Sequence, residues 1–156
     1  MDATTPTATT ELGHGLDVVV KSFLATVDAV DLGLPGGHRG YKILRFVEGS
    51  TCQSQIRIAA ALGVDRTVMT YLIDELEQAG LVTRRPDPQD RRARLIDLTD
   101  AGRDRLATAR ERMAQVERHV LAGLDEGEVD QLRTLLGKIV AHHPDDGPGP
   151  LCSISG

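Results

Sequence analysis

The arginines between residues 84 and 94 are the side chains of this sequence best suited to bind a polyanion. The segment RRPDPQDRRARL, residues 84–95, holds five arginines, two aspartates and two prolines. Guanidinium groups bind phosphate oxygens and base edges in a planar, two-bond geometry that lysine does not match. Because the whole chain has a net charge of −5, this local excess of positive charge indicates a polyanionic partner. The alternative is a solvated turn in which Asp87 and Asp90 neutralise neighbouring arginines.

The composition is that of one helical domain. The chain has 156 residues, 40% of them hydrophobic, with two tyrosines, two phenylalanines and no tryptophan. Its core must therefore consist mainly of aliphatic side chains, which suits packed helices. No apolar run is long enough to span a membrane, and the N-terminus lacks the pattern of a secretory signal. Cys52 and Cys152 form no disulfide framework, so we expect a cytoplasmic protein.

Residues 41–80 have the pattern of three helices. The first starts at Tyr41 and stops at the segment EGST. Ser54 is the expected N-cap of a short second helix that ends at Gly63, and Asp65 is the expected N-cap of a third helix that Gly80 ends. Two helices joined by a turn of about three residues are typical of a helix-turn-helix, although an ordinary helical corner gives the same pattern. The corner is predicted to bury Ile58, Leu62, Val64, Met69 and Leu72.

A β-hairpin is predicted directly after this unit. The segments LVTRR and ARLIDL, residues 81–85 and 93–98, read as two strands. Pro86 and Pro88 lack an amide donor, so the ladder is predicted to open there into an arginine-bearing tip. A helix-turn-helix followed by a hairpin is a winged helix, here residues 41–99 with the wing at 81–98. The predicted fold class is mainly α with a small β-hairpin wing.

Long helices are predicted on both sides of the winged helix. Apolar residues recur every three or four positions in residues 12–30, 106–120 and 129–139, which resembles the seams of coiled coils. Thr99 or Asp100 can cap the second of these helices, and Asp125 the third. One protomer would struggle to cover three such stripes, so residues 12–32 and 100–143 are predicted to be dimerisation helices. Residues 12–143 form the single domain, and residues 1–11 and 144–156 are predicted to be disordered tails.

The third helix of the winged unit has a polar face that suits a DNA groove. This face carries Arg66, Thr67, Thr70 and Tyr71, opposite the apolar Met69, Leu72, Ile73 and Leu76. The amides of its first turn are expected to point toward a phosphate or a base edge. An arginine at the wing tip fits the narrow, strongly negative minor groove. Double-stranded DNA is therefore the predicted partner.

The run LGVDRTVMTYLIDELEQAGLVTRRPDPQDRRARLIDLTDAG, residues 62–102, resembles the core of the MarR family of winged-helix transcriptional regulators. The most similar parts are LIDELEQAGLV, DRR and LIDLT, and the likeness extends over about residues 12–143. The resemblance implies a homodimer in which the first and last helices of both chains interlace. It also implies that Arg92 enters the minor groove and that Asp90 shapes the wing by pairing with an arginine.

Other roles follow from the same resemblance. Arg91 and Arg94 are the expected phosphate contacts, and Asp74 is expected to pack the wing against the helix. Arg84, in the same arginine-rich segment, is also a predicted DNA contact. Tyr71 stands where many members carry Arg or Lys, so the base preference does not carry over. A tyrosine there could contact a phosphate or a thymine methyl group, or pack on the helix surface.

Members of the family are commonly switched by a small molecule between the dimer helices and the DNA-binding lobes. Phe23, His38 and Arg45 are the predicted effector contacts, and an aromatic acid would suit Arg and His. Alternatively, Phe23 belongs to the core and the other two lie on the surface. The segment LPGGHRGYKIL, residues 34–44, replaces the more usual polar start of the second helix, which bears on the local shape of the pocket.

The sequence also offers residues for other function classes. Thiol sensing would rest on Cys52 or Cys152, and metal sensing on a C-terminal set without ligand spacing: His142, His143, Asp145, Asp146 and Cys152. No phosphate loop, nucleophile elbow or HExxH segment is present, so an enzyme is not expected, and neither is a cofactor. A winged helix used only for protein contacts is the remaining alternative. The predicted function is a homodimeric regulator, a repressor in the family's usual mode, that binds a pseudo-palindromic operator and responds to a small molecule.

Overall fold

The computed structural model describes residues 10–49, 54–90 and 92–142. These residues form six helices and one two-stranded antiparallel sheet. In chain order they are α1 (Leu12–Ala29), α2 (Gly37–Glu48), α3 (Gln55–Leu62), α4 (Arg66–Gln78), β1 (Val82–Pro86), β2 (Arg94–Leu98), α5 (Asp100–Val120) and α6 (Glu126–His142). The predicted fold class, mainly α with a hairpin wing, is confirmed.

The predicted ends of α3 and α4 are confirmed, whereas α2 begins at Gly37, earlier than the predicted start at Tyr41. Ser54 Oγ accepts from the amide of Arg57 at the start of α3. Asp65 Oδ1 accepts from the amides of Thr67 and Val68 at 2.8 and 3.3 Å. Gly63 has a φ of 61°, a left-handed conformation that suits glycine at a helix end. The tight turn between α3 and α4 therefore follows from the chemistry of individual residues.

A core of aliphatic side chains joins the winged unit to α5. Its fully buried members include Ile43, Leu44, Ile58, Met69, Ile73, Leu76, Ile96 and Leu106. The prediction for the helical corner was wrong at Leu62 and Val64, which are only partly buried at its edge. Gly102 lets α5 start against the hairpin, because a Cβ there would lie 2.0 Å from the carbonyl oxygen of Leu81.

The hairpin extends one residue further than the prolines predicted. Pro86 pairs with Arg94 at the end of the ladder, and the amide of Asp87 donates to the carbonyl of Ala93 at 3.2 Å. Because ladder hydrogen bonds come from alternate residues of an antiparallel strand, the bond from Asp87 leaves Pro86 at a position that needs no donor.

The three stripes predicted for dimerisation have different surroundings. The stripe of α5 is covered within the protomer, since Leu106, Ala109, Met113 and Val116 are buried. This part of the prediction is corrected: α1 and α2 pack against α5 and fill that role. The α1 stripe divides: Leu12, Leu16 and Val19 are exposed, whereas Val27 is buried and Phe23 and Val30 pack against the core. The stripe of α6 faces outward. The exposed large apolar residues of the two helices are Leu12, Leu16, Val18, Val19, Val20 and Leu24 on α1, and Leu135, Leu136, Ile139 and Val140 on α6.

Several predictions fall outside the described residues: the two tails beyond residues 10 and 142, Cys52, Cys152 and Arg91. Of the proposed C-terminal metal set, only His142 is described, as the last residue of α6. Within the described ranges no three His, Cys, Asp or Glu side chains are grouped so as to hold a metal ion. The helices of these ranges also include none that is long and apolar enough to cross a membrane.

Candidate nucleic-acid interface and an adjacent pocket

Helix α4 presents a polar face to solvent. Arg66, Thr67, Thr70 and Tyr71 are all exposed, and Tyr71 retains 66% of its accessible surface. The opposite face is anchored in the core by Met69, Leu72, Ile73 and Leu76, which are 0–6% exposed. Burial of one side fixes the rotation of the helix about its axis, so these four polar side chains point outward together, as the sequence predicts.

The first turn of α4 differs from its prediction. The Asp65 carboxylate already accepts from two of the first-turn amides, and these bonds, led by the one from Thr67, hold the pKa of Asp65 below its usual value. These two amides are therefore not available to a phosphate, and a negative charge stands at the helix start. The predicted contact with DNA would therefore rest on the side chains of the helix.

Arg84 links the wing to α4. Its guanidinium donates to Asp74 at 2.5 Å and to Glu77, and its side chain is only 20% exposed. Its backbone amide also donates to Glu77 Oε1 at 3.2 Å. The prediction of Arg84 as a DNA contact is therefore corrected, because two carboxylates of α4 already engage this guanidinium. Asp74 contacts the wing as expected, and Glu77, which the sequence reasoning missed, shares the task.

Replacing Arg84 with Ala should loosen the wing without removing a DNA-facing charge. Partly exposed ion pairs of this kind contribute up to about 1 kcal/mol each, so we expect the free energy of unfolding to fall by about 1–2 kcal/mol. Urea unfolding monitored by circular dichroism measures the loss, and hydrogen exchange of β1 amides should accelerate. The matched control is Arg133→Ala, which removes one exposed pair with Glu117; an equal loss in both variants would contradict the assignment.

The wing tip is shaped by two aspartates. Asp90 Oδ1 accepts from the backbone amide of Arg92 at 2.9 Å, and Asp87 Oδ1 accepts from the amide of Gln89 at 2.8 Å. Among the described residues, a turn-forming bond to backbone takes the place of the expected pairing of Asp90 with an arginine side chain. Arg92 and Arg94 are exposed, so their guanidinium groups are accessible to a partner.

A pocket of about 730 Å³ lies where α1, α2, α3 and α5 meet. Phe23, His38 and Arg45, the three predicted effector contacts, all line it, together with Tyr41, Lys42 and Leu62. The volume is in the usual range for small-molecule sites. Leu62 is the last residue of α3, so one wall of the pocket belongs to the helix-turn-helix itself.

Aromatic rings and cations alternate along the α2 wall of this pocket. His38 contacts Phe23 edge-on at 5.8 Å between ring centroids and stacks on Tyr41 at 6.5 Å. The Arg45 guanidinium lies 5.9 Å from the centre of the Tyr41 ring. This set can pack against a planar ring and pair with an anionic group. Burial, reinforced by Lys42 and opposed by Asp28, lowers the pKa of His38 below its usual value.

The lowered pKa of His38 predicts a pH-dependent stability. The folded state favours neutral His38, so its contribution is present above the ordinary histidine pKa of about 6.5 and is lost as pH falls through the lower folded value. We expect His38→Gln to flatten the fall of the melting temperature between about pH 7 and pH 5. Thermal unfolding followed by circular dichroism at several pH values tests this, with exposed His119→Gln as the control; identical slopes for wild type and His38→Gln would refute it.

The sequence reasoning missed one contact at the centre of the α4 face. Gln55, the first residue of α3, donates from Nε2 to the hydroxyl of Thr70 at 2.5 Å. The two residues lie 15 positions apart on different helices, and no periodicity or cap signal relates them. Only the packing of α3 against α4 brings them together.

Comparison with known proteins places this geometry in a family. The MarR family model matches residues 38–93. A transcriptional regulator of the MarR family from Rhodococcus sp. RHA1 is 30% identical, with coverage of 82% of this chain and 88% of that chain and a TM-score of 0.63.

Two further relatives share the fold. A MarR mutant from E. coli is 24% identical at a TM-score of 0.73, covering 85% of this chain and 98% of that one. The chain of the same mutant in its complex with operator DNA is 25% identical at a TM-score of 0.64, covering 83% of this chain and 93% of that one. BpsR from Bordetella bronchiseptica has DNA binding that is regulated by 6-hydroxynicotinic acid. It is 23% identical at a TM-score of 0.66, covering 82% of this chain and 97% of that one. The chain belongs to the MarR family and is a DNA-binding transcriptional regulator with a winged-helix fold.

Proposed function

We propose that the protein is a homodimeric repressor that binds a pseudo-palindromic operator and is released from it by an aromatic acid. The observation that carries the proposal is the pairing of an exposed polar face on α4 with exposed arginines on the adjoining wing. Two α4 helices of a dimer would enter successive major grooves, about one helical turn of DNA or a small multiple apart. Binding there would block access to a promoter.

Arg66, Thr67, Thr70 and Tyr71 are the proposed major-groove and phosphate contacts. Arg92 is the proposed minor-groove residue, since it lies at the wing tip and is exposed. Arg94, and by sequence Arg91, contact phosphates on either side of it. Arg84 has no direct part in binding and keeps the wing at a fixed position relative to α4 through Asp74 and Glu77.

Dimerisation is supported by the outward apolar faces of α1 and α6. No described residue of α6 is buried within the protomer, although Leu135, Leu136, Ile139 and Val140 follow each other on one face. Exposed apolar patches of this extent mark protein–protein contacts. The domain assignment is revised accordingly: α1 and α6 supply the interface, and α5 packs against α1 within the protomer.

The effector site is the pocket lined by Phe23, His38 and Arg45. A planar acid would pack against its rings, with the carboxylate beside Arg45 and Lys42. Such a ligand also contacts Leu62, and because Gly63 joins α3 tightly to α4, displacement of α3 would move the DNA-reading helix. A ligand that prefers the displaced arrangement lowers the population that fits the operator. Regulation of BpsR by 6-hydroxynicotinic acid is consistent with this class of effector.

The test starts from a random library of DNA duplexes. The full-length protein should enrich one sequence with two inverted half-sites, called the selected duplex below, and benzoate-class acids should release it while neutral benzamides do not. Arg45→Ala should retain DNA affinity but lose the release. Enrichment of no duplex would instead favour a winged helix used for protein contacts, and release that persists in Arg45→Ala would move the effector to another site.

A further inference from the structure

The side chains of Gln55 and Thr70 are joined by a hydrogen bond at the surface proposed to face the major groove. The Thr70 hydroxyl accepts from Gln55 Nε2 at 2.5 Å and donates to the backbone carbonyl of Arg66 at 2.9 Å. A hydroxyl group has one hydrogen to donate and two lone pairs to accept. The two bonds therefore use the hydrogen of the Thr70 hydroxyl and one of the lone pairs on its oxygen.

The two bonds also select a rotamer. Threonine in a helix divides between two χ1 states, of which one back-bonds to the preceding turn. With its hydroxyl held between α3 and the Arg66 carbonyl, Thr70 stays in that state. Its methyl group is then the other branch at Cβ, and Thr70 is exposed, so this methyl group has a fixed position on the α4 face.

A threonine held in this way discriminates among bases. Guanine presents only acceptors in the major groove, and Thr70 has no hydrogen left to donate to them. Thymine presents a 5-methyl group, which apolar side-chain groups contact. We propose that Gln55 is a specificity-determining positioning residue: by holding the Thr70 hydroxyl, it makes the Thr70 methyl group select a thymine in each operator half-site. The inference rests on the proposed function, since it needs α4 in the major groove.

One other readout is open to the same hydroxyl. Its remaining lone pair could accept from the amino group of adenine or cytosine, which would also exclude guanine. Replacing thymine with deoxyuridine separates the two, because uracil keeps the base pair and its hydrogen-bonding groups and lacks only the methyl group. A hydrogen-bond readout is indifferent to this replacement.

The experiment uses the full-length protein and the selected duplex. Each thymine is replaced singly by deoxyuridine, and the dissociation constant is measured by fluorescence anisotropy. At one position in each half-site we expect wild type to bind about fourfold more weakly, which is about 0.8 kcal/mol at 1.4 kcal/mol per tenfold. Thr70→Ser keeps the hydroxyl and loses the methyl group, so it should show no penalty at that position. Thr70→Val keeps a methyl group and should show the full penalty.

Gln55→Ala tests the positioning role itself. Without Gln55, the Thr70 hydroxyl keeps only its bond to the Arg66 carbonyl. The second χ1 state of a helical threonine then becomes accessible, and the deoxyuridine penalty should fall below about twofold. The double variant Gln55→Ala/Thr70→Val should restore it, because valine in a helix has one preferred rotamer and carries methyl groups on both branches. A merely structural tie would weaken binding to every duplex alike, and valine would restore nothing. Circular dichroism melting confirms that each variant folds.

The outcomes are distinct. The proposal is overturned if no thymine of the selected duplex shows a deoxyuridine penalty with wild type, or if Thr70→Ser keeps the wild-type profile. It is also overturned if Gln55→Ala leaves the penalty at full size. If the library yields no duplex that binds above a scrambled control, the proposed function fails first, and this assignment fails with it.

Discussion

Arg92→Ala is expected to weaken binding to the selected duplex by about 1–3 kcal/mol, a factor of about 5 to 150. Arg92 is exposed at the wing tip, on a turn that Asp90 holds through the Arg92 backbone amide. Because this bond uses backbone, the substitution leaves the turn intact and removes only the guanidinium. The loss should be concentrated on duplexes with A·T-rich flanks, where the narrow minor groove is most negative.

The matched control is Arg118→Ala, which removes the same charge from the exposed end of α5. Anisotropy titrations of both variants at one salt concentration separate a located contact from general electrostatics. Equal losses would mean that only net charge matters. Unchanged affinity in Arg92→Ala would remove the wing from the interface.

Ile139→Asp is expected to convert the dimer to monomers and to lower DNA affinity by at least about 100-fold, since the second half-site then binds without the benefit of linkage. Ile139 is 57% exposed, and α6 has no buried residue. The substitution therefore costs the protomer core nothing, while it places a charge in the centre of the proposed interface. Sedimentation should give 16.8 kDa for the variant and twice that value for wild type.

Ala141→Asp supplies the control for this variant. Ala141 is exposed on the side of α6 away from the apolar face. Its replacement by Asp introduces the same carboxylate as Ile139→Asp. It should remain dimeric with DNA affinity close to that of wild type. A dimeric Ile139→Asp, or a wild-type protein that sediments as a monomer, would contradict the interface proposed for α1 and α6.

The sequence predicts the winged unit well because its signals are local. Ser54, Asp65 and Thr99 each accept from an amide two or three residues ahead, and the positive φ of Gly63 depends on that residue alone. Asp125 and Glu128 bond to each other's amides at the start of α6 in the same way. Caps of this kind can be identified without knowledge of the tertiary fold.

Predictions that depended on distant partners were less accurate. Periodicity shows that α5 has an apolar face but not that α1 and α2 cover it. The apolar spacing of α5, which is buried within the protomer, is therefore the same in the sequence as that of α6, which is exposed. Likewise, counting charges groups Arg84 with Arg92. The carboxylates that bind Arg84, those of Asp74 and Glu77, lie ten and seven residues earlier in the chain. The gathering of Phe23, His38 and Arg45 at one pocket followed from the family resemblance and not from spacing.

The most direct test of the account is a fluorescence-anisotropy titration of the wild-type protein with the selected duplex and with a scrambled duplex of the same composition. Both are measured at about 50 and 200 mM salt, where phosphate contacts weaken with a slope of about −0.9 per phosphate in log K against log salt. The account predicts that the selected duplex binds at least about 1,000-fold more tightly and that both affinities fall with salt. Equal, weak binding to the two duplexes at both salt concentrations would contradict sequence-specific recognition by α4 and the wing.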